Sequence, residues 1–99
     1  MSERPSEMSE AEIDAAIATL EGWQVRSDGK AINKTFMFDD FLAAFVFMGK
    51  VAVKAEELDH HPEWFNVYNR VEVTLNTHDA GGITTLDTTM AAFMNEAAA

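Results

Sequence analysis

The segment Trp64–His78, WFNVYNRVEVTLNTH, has the pattern of two β-strands joined by a tight turn at Asn69. In its second half, apolar side chains alternate with polar ones at Val71, Val73 and Leu75. Side chains of a strand point alternately to opposite faces of a sheet, so this alternation predicts a strand with one buried face and one solvent face. We therefore expect an antiparallel hairpin with strands over 64–68 and 70–78.

A second hairpin is predicted nearer the start of the chain, around Ser27-Asp28-Gly29-Lys30. Strand-like runs over 23–26 and 31–38 flank this turn, and Asp-Gly between two such runs favours a tight hairpin. Phe36 and Phe38 lie on one face of the second run, and we expect both to point to the core. The two hairpins together predict a four-stranded antiparallel sheet.

Three helices are predicted from capping residues that precede apolar residues at helical spacing. The first begins at Ser9-Glu10-Ala11-Glu12, the second runs from Asp39-Asp40 to about Leu58, and the last begins at Thr84-Thr85-Leu86-Asp87. The order α-β-β-α-β-β-α predicts an α+β fold with the helices packed on one face of the four-stranded antiparallel sheet. We expect a flexible N-terminal tail over residues 1–8 and a single domain over residues 9–99.

The second predicted helix has apolar side chains around far more of its circumference than one small sheet covers. They form three stripes: Phe41, Phe45, Met48, Ala52 and Ala55; Leu42, Val46 and Val53; and Phe47, Val51 and Leu58. Covering loops would explain this width, and so would packing against another subunit. We favour the second explanation and predict a homo-oligomer, a dimer or a tetramer, with Phe47 or Val51 near the contact.

Composition narrows the class of protein. The chain has 99 residues, with 17 Asp and Glu against 7 Lys and Arg, and a formal net charge of −10. This acidity argues against direct nucleic-acid binding, because phosphate contacts need a basic surface. There are no cysteines, no apolar run reaches the ~18 residues of a membrane span, and the first ten residues do not resemble a targeting signal. We expect a soluble, cytoplasmic domain without membrane contact.

All three histidines of the chain lie between positions 60 and 78. His60 and His61 follow the predicted end of the second helix, and His78 ends the last predicted strand, so the three can meet at one edge of the sheet. An imidazole with an unperturbed pKa of about 6.5 exchanges protons readily near neutral pH. Glu56 precedes His60 by four residues, so the two could share one helix face and form a pair.

Simpler roles stay open for these residues. His60 and His61 could have no role beyond complementing the dipole at a helix end. His78 could simply be a polar residue at a strand end. Asp87 could have no role beyond that of the acid in a capping box. Trp64 is most simply a packing residue, although its ring could also form the wall of a site for a flat heterocycle.

A metal site or a covalent nucleophile would be a different chemistry in the same stretch. Glu56, His60 and His78 could supply three metal ligands, but the two histidines are not four residues apart on one helix, and no cysteine assists. The stretch also has no serine to act as a nucleophile. We therefore expect acid–base chemistry without a metal ion.

The stretch Glu56–Asn69, EELDHHPEWFNVYN, resembles the signature of the pterin-4a-carbinolamine dehydratase family. The resemblance continues through VEVTLNTH at 71–78, Gly82-Ile83 and Asp87, and extends over nearly the whole chain. Members of this family remove water from 4a-hydroxytetrahydrobiopterin, the adduct that aromatic amino acid hydroxylases leave, and produce quinonoid dihydropterin. The resemblance therefore implies a lyase that acts on a pterin, needs no metal or redox cofactor, and serves such a hydroxylase.

The resemblance also implies roles for single residues. His60 and His78 would be the acid–base pair on opposite sides of the pterin, His61 would bind and orient it, and Glu56 would polarise His60. Asp87 would hold His78 or the edge of the pocket.

Further residues are implied to bind the substrate: Trp64, Asn76, Thr77 and Asp87. The backbone from Asn76 to His78 would face the pyrimidine edge of the pterin. Animal members of the family also serve as dimerisation cofactors of a homeodomain transcription factor, through the second helix. A non-enzymatic interaction module is therefore the alternative function.

Overall fold

The computed structural model describes residues 4–99. In chain order its elements are α1 (Glu10–Ile17), β1 (Gln24–Val25), β2 (Ile32–Met37), α2 (Phe41–Leu58), β3 (Glu63–Val67), β4 (Arg70–Leu75), a 3₁₀ turn (His78–Ala80) and α3 (Thr85–Ala98). This order confirms the predicted α-β-β-α-β-β-α arrangement and the α+β fold. The predicted tail at 1–8 includes residues 1–3, which lie outside the described residues, so its flexibility stays a prediction.

The four strands form an antiparallel sheet in the order β1-β2-β4-β3. On β4, Val71, Val73 and Leu75 are buried, whereas Glu72 between them is exposed. The helices therefore cover one face of the sheet, as the alternation in β4 predicts.

Side-chain hydrogen bonds hold the predicted turns and helix starts. In the β1–β2 turn, the Arg26 guanidinium and the N–H of Lys30 donate to Asp28, and they lower the pKa of that carboxyl. The N-caps are present at all three helices: Ser9 with Glu12, Asp40 with Ala43, and Thr84 with Asp87.

The core lies between the sheet and α2 and α3. Phe47 of α2 has its ring centroid 4.8 Å from that of Phe36 and 5.0 Å from that of Phe38. Phe36 is buried and Phe38 packs against the same cluster, so both point to the core as predicted. Trp23 makes an edge contact with Phe36 at a centroid distance of 6.0 Å and closes one side of the core.

The prediction that Phe47 or Val51 lies near a subunit contact is wrong. Phe47 is 2% and Val51 is 0% exposed, because their stripe of α2 faces the sheet. Large apolar residues on the opposite side of α2 stay exposed and form what we call the outer face: Phe41, Leu42, Phe45, Val46 and Val53. Within residues 4–99, no helix is both long enough and apolar enough to cross a membrane.

Candidate active site

The end of α2 decides where the first two histidines point. Asp59 takes a left-handed conformation with φ 50°, which Asp tolerates better than most residues, and the helix stops before it. The N–H of His60 then donates back to the carbonyl of Ala55 at 3.0 Å. This reversal turns His60 inward, where it is 6% exposed, and His61 outward, where 58% of its side chain is exposed.

A tight loop after β4 forms the other side of the site. The N–H of Thr77 donates to the carbonyl of Gly82 at 2.8 Å, and the N–H of Gly81 donates to the carbonyl of Thr77 at 3.0 Å. Gly81 has φ 79°, which favours a residue without Cβ. Because the loop closes on itself, β4 ends at Leu75, earlier than predicted, and His78 lies at the surface with 87% of its side chain exposed.

A buried pair of side chains joins these two segments. His60 Nε2 lies 2.6 Å from Asp87 Oδ1, and Asp87 is 0% exposed. The second oxygen of Asp87, Oδ2, accepts from the hydroxyl of Thr77 at 2.8 Å and from the N–H of Thr84 at 2.9 Å. A buried carboxylate needs donors on both oxygens, and these contacts supply them. Both oxygens of Asp87 are therefore held in place by neighbouring groups.

This pairing assigns the fixed hydrogen of His60. An ionised carboxylate only accepts hydrogen bonds, so Nε2 of His60 carries the hydrogen that Asp87 receives. The other ring nitrogen, Nδ1, is then left to exchange a proton with a ligand. Asp87 also compensates the positive charge that His60 gains when Nδ1 is protonated.

Two threonine hydroxyls extend the network toward α3. Thr77 Oγ1 and Thr84 Oγ1 lie 2.8 Å apart, and Thr84 Oγ1 accepts from the N–H of Leu86 at 3.2 Å. Since Thr77 gives its hydrogen to Asp87, the hydroxyl of Thr84 is the donor between the two threonines. The groups that cap α3 therefore also hold the partner of His60.

The predicted pair of Glu56 with His60 is wrong, and so is one of the alternatives for Asp87, the contact with His78. Glu56 Oε2 lies 2.7 Å from His61 Nε2 and does not pair with His60. The reversal at Asp59 takes His60 off the helix face on which Glu56 lies. Asp87 holds His60 rather than His78. The carboxylate that contacts the inner histidine therefore belongs to α3 and not, as predicted, to α2.

His78 has a different carboxylate nearby. Its Nε2 lies 3.6 Å from Glu63 Oε2, and Asn76 Nδ2 donates to the same oxygen at 2.9 Å. Glu63 was not singled out from the sequence. It lies opposite Thr74 in the β3–β4 register, and Asn76 is two residues further along the same face. Correct strand pairing would therefore have revealed the contact between Glu63 and Asn76.

An open cavity of about 230 Å³ joins these residues. It is lined by Arg4, Asp59, His60, His61, Asn76, Thr77, His78 and Asp79. The cavity includes five of the predicted site residues, with Asp87 behind His60 and Glu56 beside His61. Trp64 is half-buried against the core and is not part of the lining. Sequence reasoning missed Arg4, Asp59 and Asp79.

The lining suits proton transfer. Two larger cavities, of about 370 and 380 Å³, contain no histidine. In the described part of the chain, no three His, Asp or Glu side chains converge as a metal-binding group. Three imidazoles around one cavity, one of them backed by a buried carboxylate, can accept a proton on one side of a ligand and donate one on another.

Comparison with known proteins shows the family of the chain. The sequence profile described as Pterin 4 alpha carbinolamine dehydratase matches residues 6–97. A protein of Rhizobium leguminosarum bv. trifolii (strain WSM2304), named "Putative pterin-4-alpha-carbinolamine dehydratase", is 54% identical over 92 residues, 93% of this chain and 91% of the relative. A Bordetella avium (strain 197N) protein with the same name is 56% identical over 88 residues, 89% of this chain and 82% of that protein.

A solved structure extends the similarity to three dimensions. The crystal structure of transcriptional coactivator/pterin dehydratase from Brucella melitensis superposes with a TM-score of 0.93 and 50% sequence identity. The match covers 95% of this chain and 100% of the Brucella chain. Sequence and fold therefore agree along almost the entire chain, which belongs to the pterin-4-alpha-carbinolamine dehydratase family.

Proposed function

We propose that this chain dehydrates 4a-hydroxytetrahydrobiopterin to quinonoid dihydrobiopterin and water. In this elimination the C4a–O bond breaks, the departing hydroxyl gains a proton, and the neighbouring ring nitrogen loses one as the C4a–N double bond forms. Atoms and electrons balance without an oxidant or a reductant. The protein therefore has to supply one proton acceptor and one proton donor at different places around the pterin.

The observation that carries this proposal is the buried pair of His60 and Asp87 in the wall of an open cavity. With Nε2 held by Asp87, Nδ1 of His60 accepts the proton of the pterin ring nitrogen. Asp87 compensates the charge on the imidazolium that forms, and Thr77 and the Thr84 N–H keep the carboxylate in place. His60 is therefore assigned as the base.

The exposed histidines supply the other half of the reaction. A protonated His78 donates to the departing hydroxyl, with Glu63 at 3.6 Å to orient its ring. Because His78 lies at the surface, the water that forms leaves directly to solvent. His61, held by Glu56 at 2.7 Å, orients the pterin from the end of α2. The proposed setting is the cytoplasm, where an aromatic amino acid hydroxylase generates the adduct.

The direct test is the dehydration of freshly generated 4a-hydroxytetrahydrobiopterin, followed by absorbance. We expect the wild-type protein to exceed the uncatalysed rate and His60→Ala to lose most of this excess with an unchanged circular dichroism spectrum. Arg70→Ala, at the far end of β4, is the control and should match the wild type. A wild-type protein without effect on the rate would refute the function, and an unimpaired His60→Ala would refute the role of His60.

The outer face of α2 supports a second role, as an interface between copies of this chain and a docking surface for another protein. Its five large apolar side chains are between 49% and 68% exposed. Exposed apolar surface of this kind is typical of interaction sites. The name of the Brucella protein includes transcriptional coactivator, which favours an interaction role beside the enzymatic one.

Light scattering tests the assembly. We expect a dimer or tetramer for the wild type and a smaller mass for Val46→Asp, because an unpaired carboxylate in an apolar contact costs several kcal/mol. Ala92→Asp, at an exposed position of α3, is the control and should keep the wild-type mass. A monomeric wild type would refute the homo-oligomer, and an unchanged mass for Val46→Asp would exclude the outer face as its interface.

A further inference from the structure

The segment that precedes α1 runs along the candidate active site. The N–H of Met8 donates to the carbonyl of Ile83 at 2.8 Å, and the Met8 side chain packs against the core. The Glu7 carboxylate pairs with Lys30 at 3.3 Å and lies so close to Gly82 that a Cβ there would overlap it. These contacts hold the segment beside the loop that follows β4.

From this anchor the chain reaches the end of α2. Arg4 Nη1 donates to the carbonyl of Leu58 at 3.4 Å, and Arg4 lines the same cavity as His60 and His78. Pro5 restricts the backbone directly after Arg4. Residues 4–8 therefore extend from the loop on one side of the cavity to the helix end on the other.

Among the residues that line the cavity, Arg4 is the one with a permanent positive charge. The chain has 7 Lys and Arg against 17 Asp and Glu, and the other side chains of full charge in the cavity lining are Asp59 and Asp79. Within residues 4–99, no carboxylate forms an ion pair with Arg4. Its contact with Leu58 is at the long end of the hydrogen-bond range and uses one of five N–H donors.

We propose that Arg4 is a substrate-binding residue for the pterin, a role that rests on the proposed dehydratase function. Its planar set of donors suits the carbonyl oxygen and ring-nitrogen acceptors of the pyrimidine half of the substrate. The C4a–N side becomes more positive as the hydroxyl leaves, so a nearby cation does not stabilise that change. Arg4 therefore strengthens binding without accelerating the chemical step.

A purely structural role for Arg4 predicts a different result. A cation near the last carbonyls of a helix complements its dipole, and the bond to Leu58 fits that description. Loss of such a contact would lower the unfolding temperature and leave the KM of the folded protein unchanged. The two roles are therefore separated by measuring KM and thermal unfolding on the same variants.

The experiment compares wild type, Arg4→Ala, Arg4→Lys and the control Arg70→Ala with 4a-hydroxytetrahydrobiopterin. We expect Arg4→Ala to raise KM about tenfold, equivalent to 1.4 kcal/mol, with kcat within about twofold of the wild type. The KM of Arg4→Lys should lie between those of the wild type and Arg4→Ala, because lysine keeps the charge but not the planar donors. An active wild type whose KM is unchanged in Arg4→Ala would overturn the proposal.

A binding measurement separates this proposal from the proposed function. Quenching of biopterin fluorescence reports binding without turnover, and we expect weaker binding by Arg4→Ala than by Arg70→Ala. The wild type could bind biopterin and yet have no dehydratase activity. Weaker binding by Arg4→Ala would then support the binding role of Arg4, while the proposed enzymatic function would be refuted. Equal biopterin binding by wild type and Arg4→Ala overturns the binding role of Arg4 and leaves the proposed function untouched. A wild type that neither binds biopterin nor turns over the substrate overturns both.

Discussion

The two sides of the cavity are built in opposite ways. The inner wall consists of buried groups joined by hydrogen bonds: His60, Asp87, Thr77 and Thr84. The rim consists of exposed imidazole–carboxylate pairs: His61 with Glu56 and His78 with Glu63. Buried networks hold one geometry, whereas exposed ion pairs contribute little and rearrange easily. We therefore expect precise positioning to come from the inner wall, and access for substrate and water from the rim.

The largest effect is expected at the centre of the inner wall. His60→Ala should lower the rate of pterin dehydration by about 10²–10⁴-fold, the usual contribution of a general acid or base. Asp87→Asn should approach the same loss, because the amide no longer compensates a charged imidazole. Stopped-flow absorbance measures both rates, with circular dichroism as the check on folding. A folded His60→Ala with wild-type activity would contradict the assignment of the inner wall as the catalytic side.

A smaller loss is expected for Thr77, which acts on His60 through Asp87. Thr77→Val removes the hydroxyl that donates to Asp87, and leaves buried groups without a partner. We expect the free energy of unfolding to fall by about 1–3 kcal/mol and the rate by about tenfold. Thr77→Ser keeps the hydroxyl and is the matched control. Urea denaturation combined with the rate assay checks both effects, and equal losses in the two variants would count against the hydrogen bond as their cause.

The rim should be more tolerant. His78→Ala should lower the rate by no more than about tenfold, because water and buffer reach the place of an exposed donor. Added imidazole should restore more of the activity in this variant than in His60→Ala, because the inner histidine is buried and its ring is held in one orientation by Asp87. Rates measured over an imidazole series decide this point. Rescue of His60→Ala but not of His78→Ala would mean that the inner wall is the accessible side of the cavity and the rim the rigid one.

The smallest effect is expected for Glu56, the more exposed of the two rim carboxylates. Glu56→Gln removes one charge from a surface pair with His61, and such pairs contribute about 0–1 kcal/mol. We expect a rate within about threefold of the wild type and little change in thermal unfolding. The comparison with Asp87→Asn is the sharpest one, because both changes replace a histidine-bound carboxylate by an amide. A greater loss of rate in Glu56→Gln than in Asp87→Asn would show that the rim controls the reaction rate more than the inner wall does.

Most of the fold was predictable because its signals are local. Alternation in β4, the Asp-Gly turn and the three N-caps are each contained within a few residues, and all appear in the structure. The orientation of α2 was not predictable in the same way. A helical wheel ranks apolar stripes but does not tell which one faces the sheet. Phe47 and Val51 were therefore assigned to the surface although they are in the core.

The candidate site was predicted as a set of residues but not as a set of contacts. The pairing of Glu56 with His60 needs helical spacing through His60, although the predicted helix ends at about Leu58, and the left-handed Asp59 turns His60 off that face. The contact of His60 with Asp87 joins residues 27 positions apart, and no local pattern indicates it. Arg4 reaches the cavity because Glu7 and Met8 are anchored on Lys30 and Ile83, contacts that are equally non-local.

The double use of Asp87 has a consequence for heat sensitivity. Its carboxylate caps the first turn of α3 and also holds His60, so fraying of that turn releases the histidine. Opening of a helix end requires less free energy than unfolding of the whole domain. Warming should therefore disable proton transfer while the sheet is still intact. Amide exchange at Thr84 would rise in the same temperature range in which activity is lost, below the melting of the core.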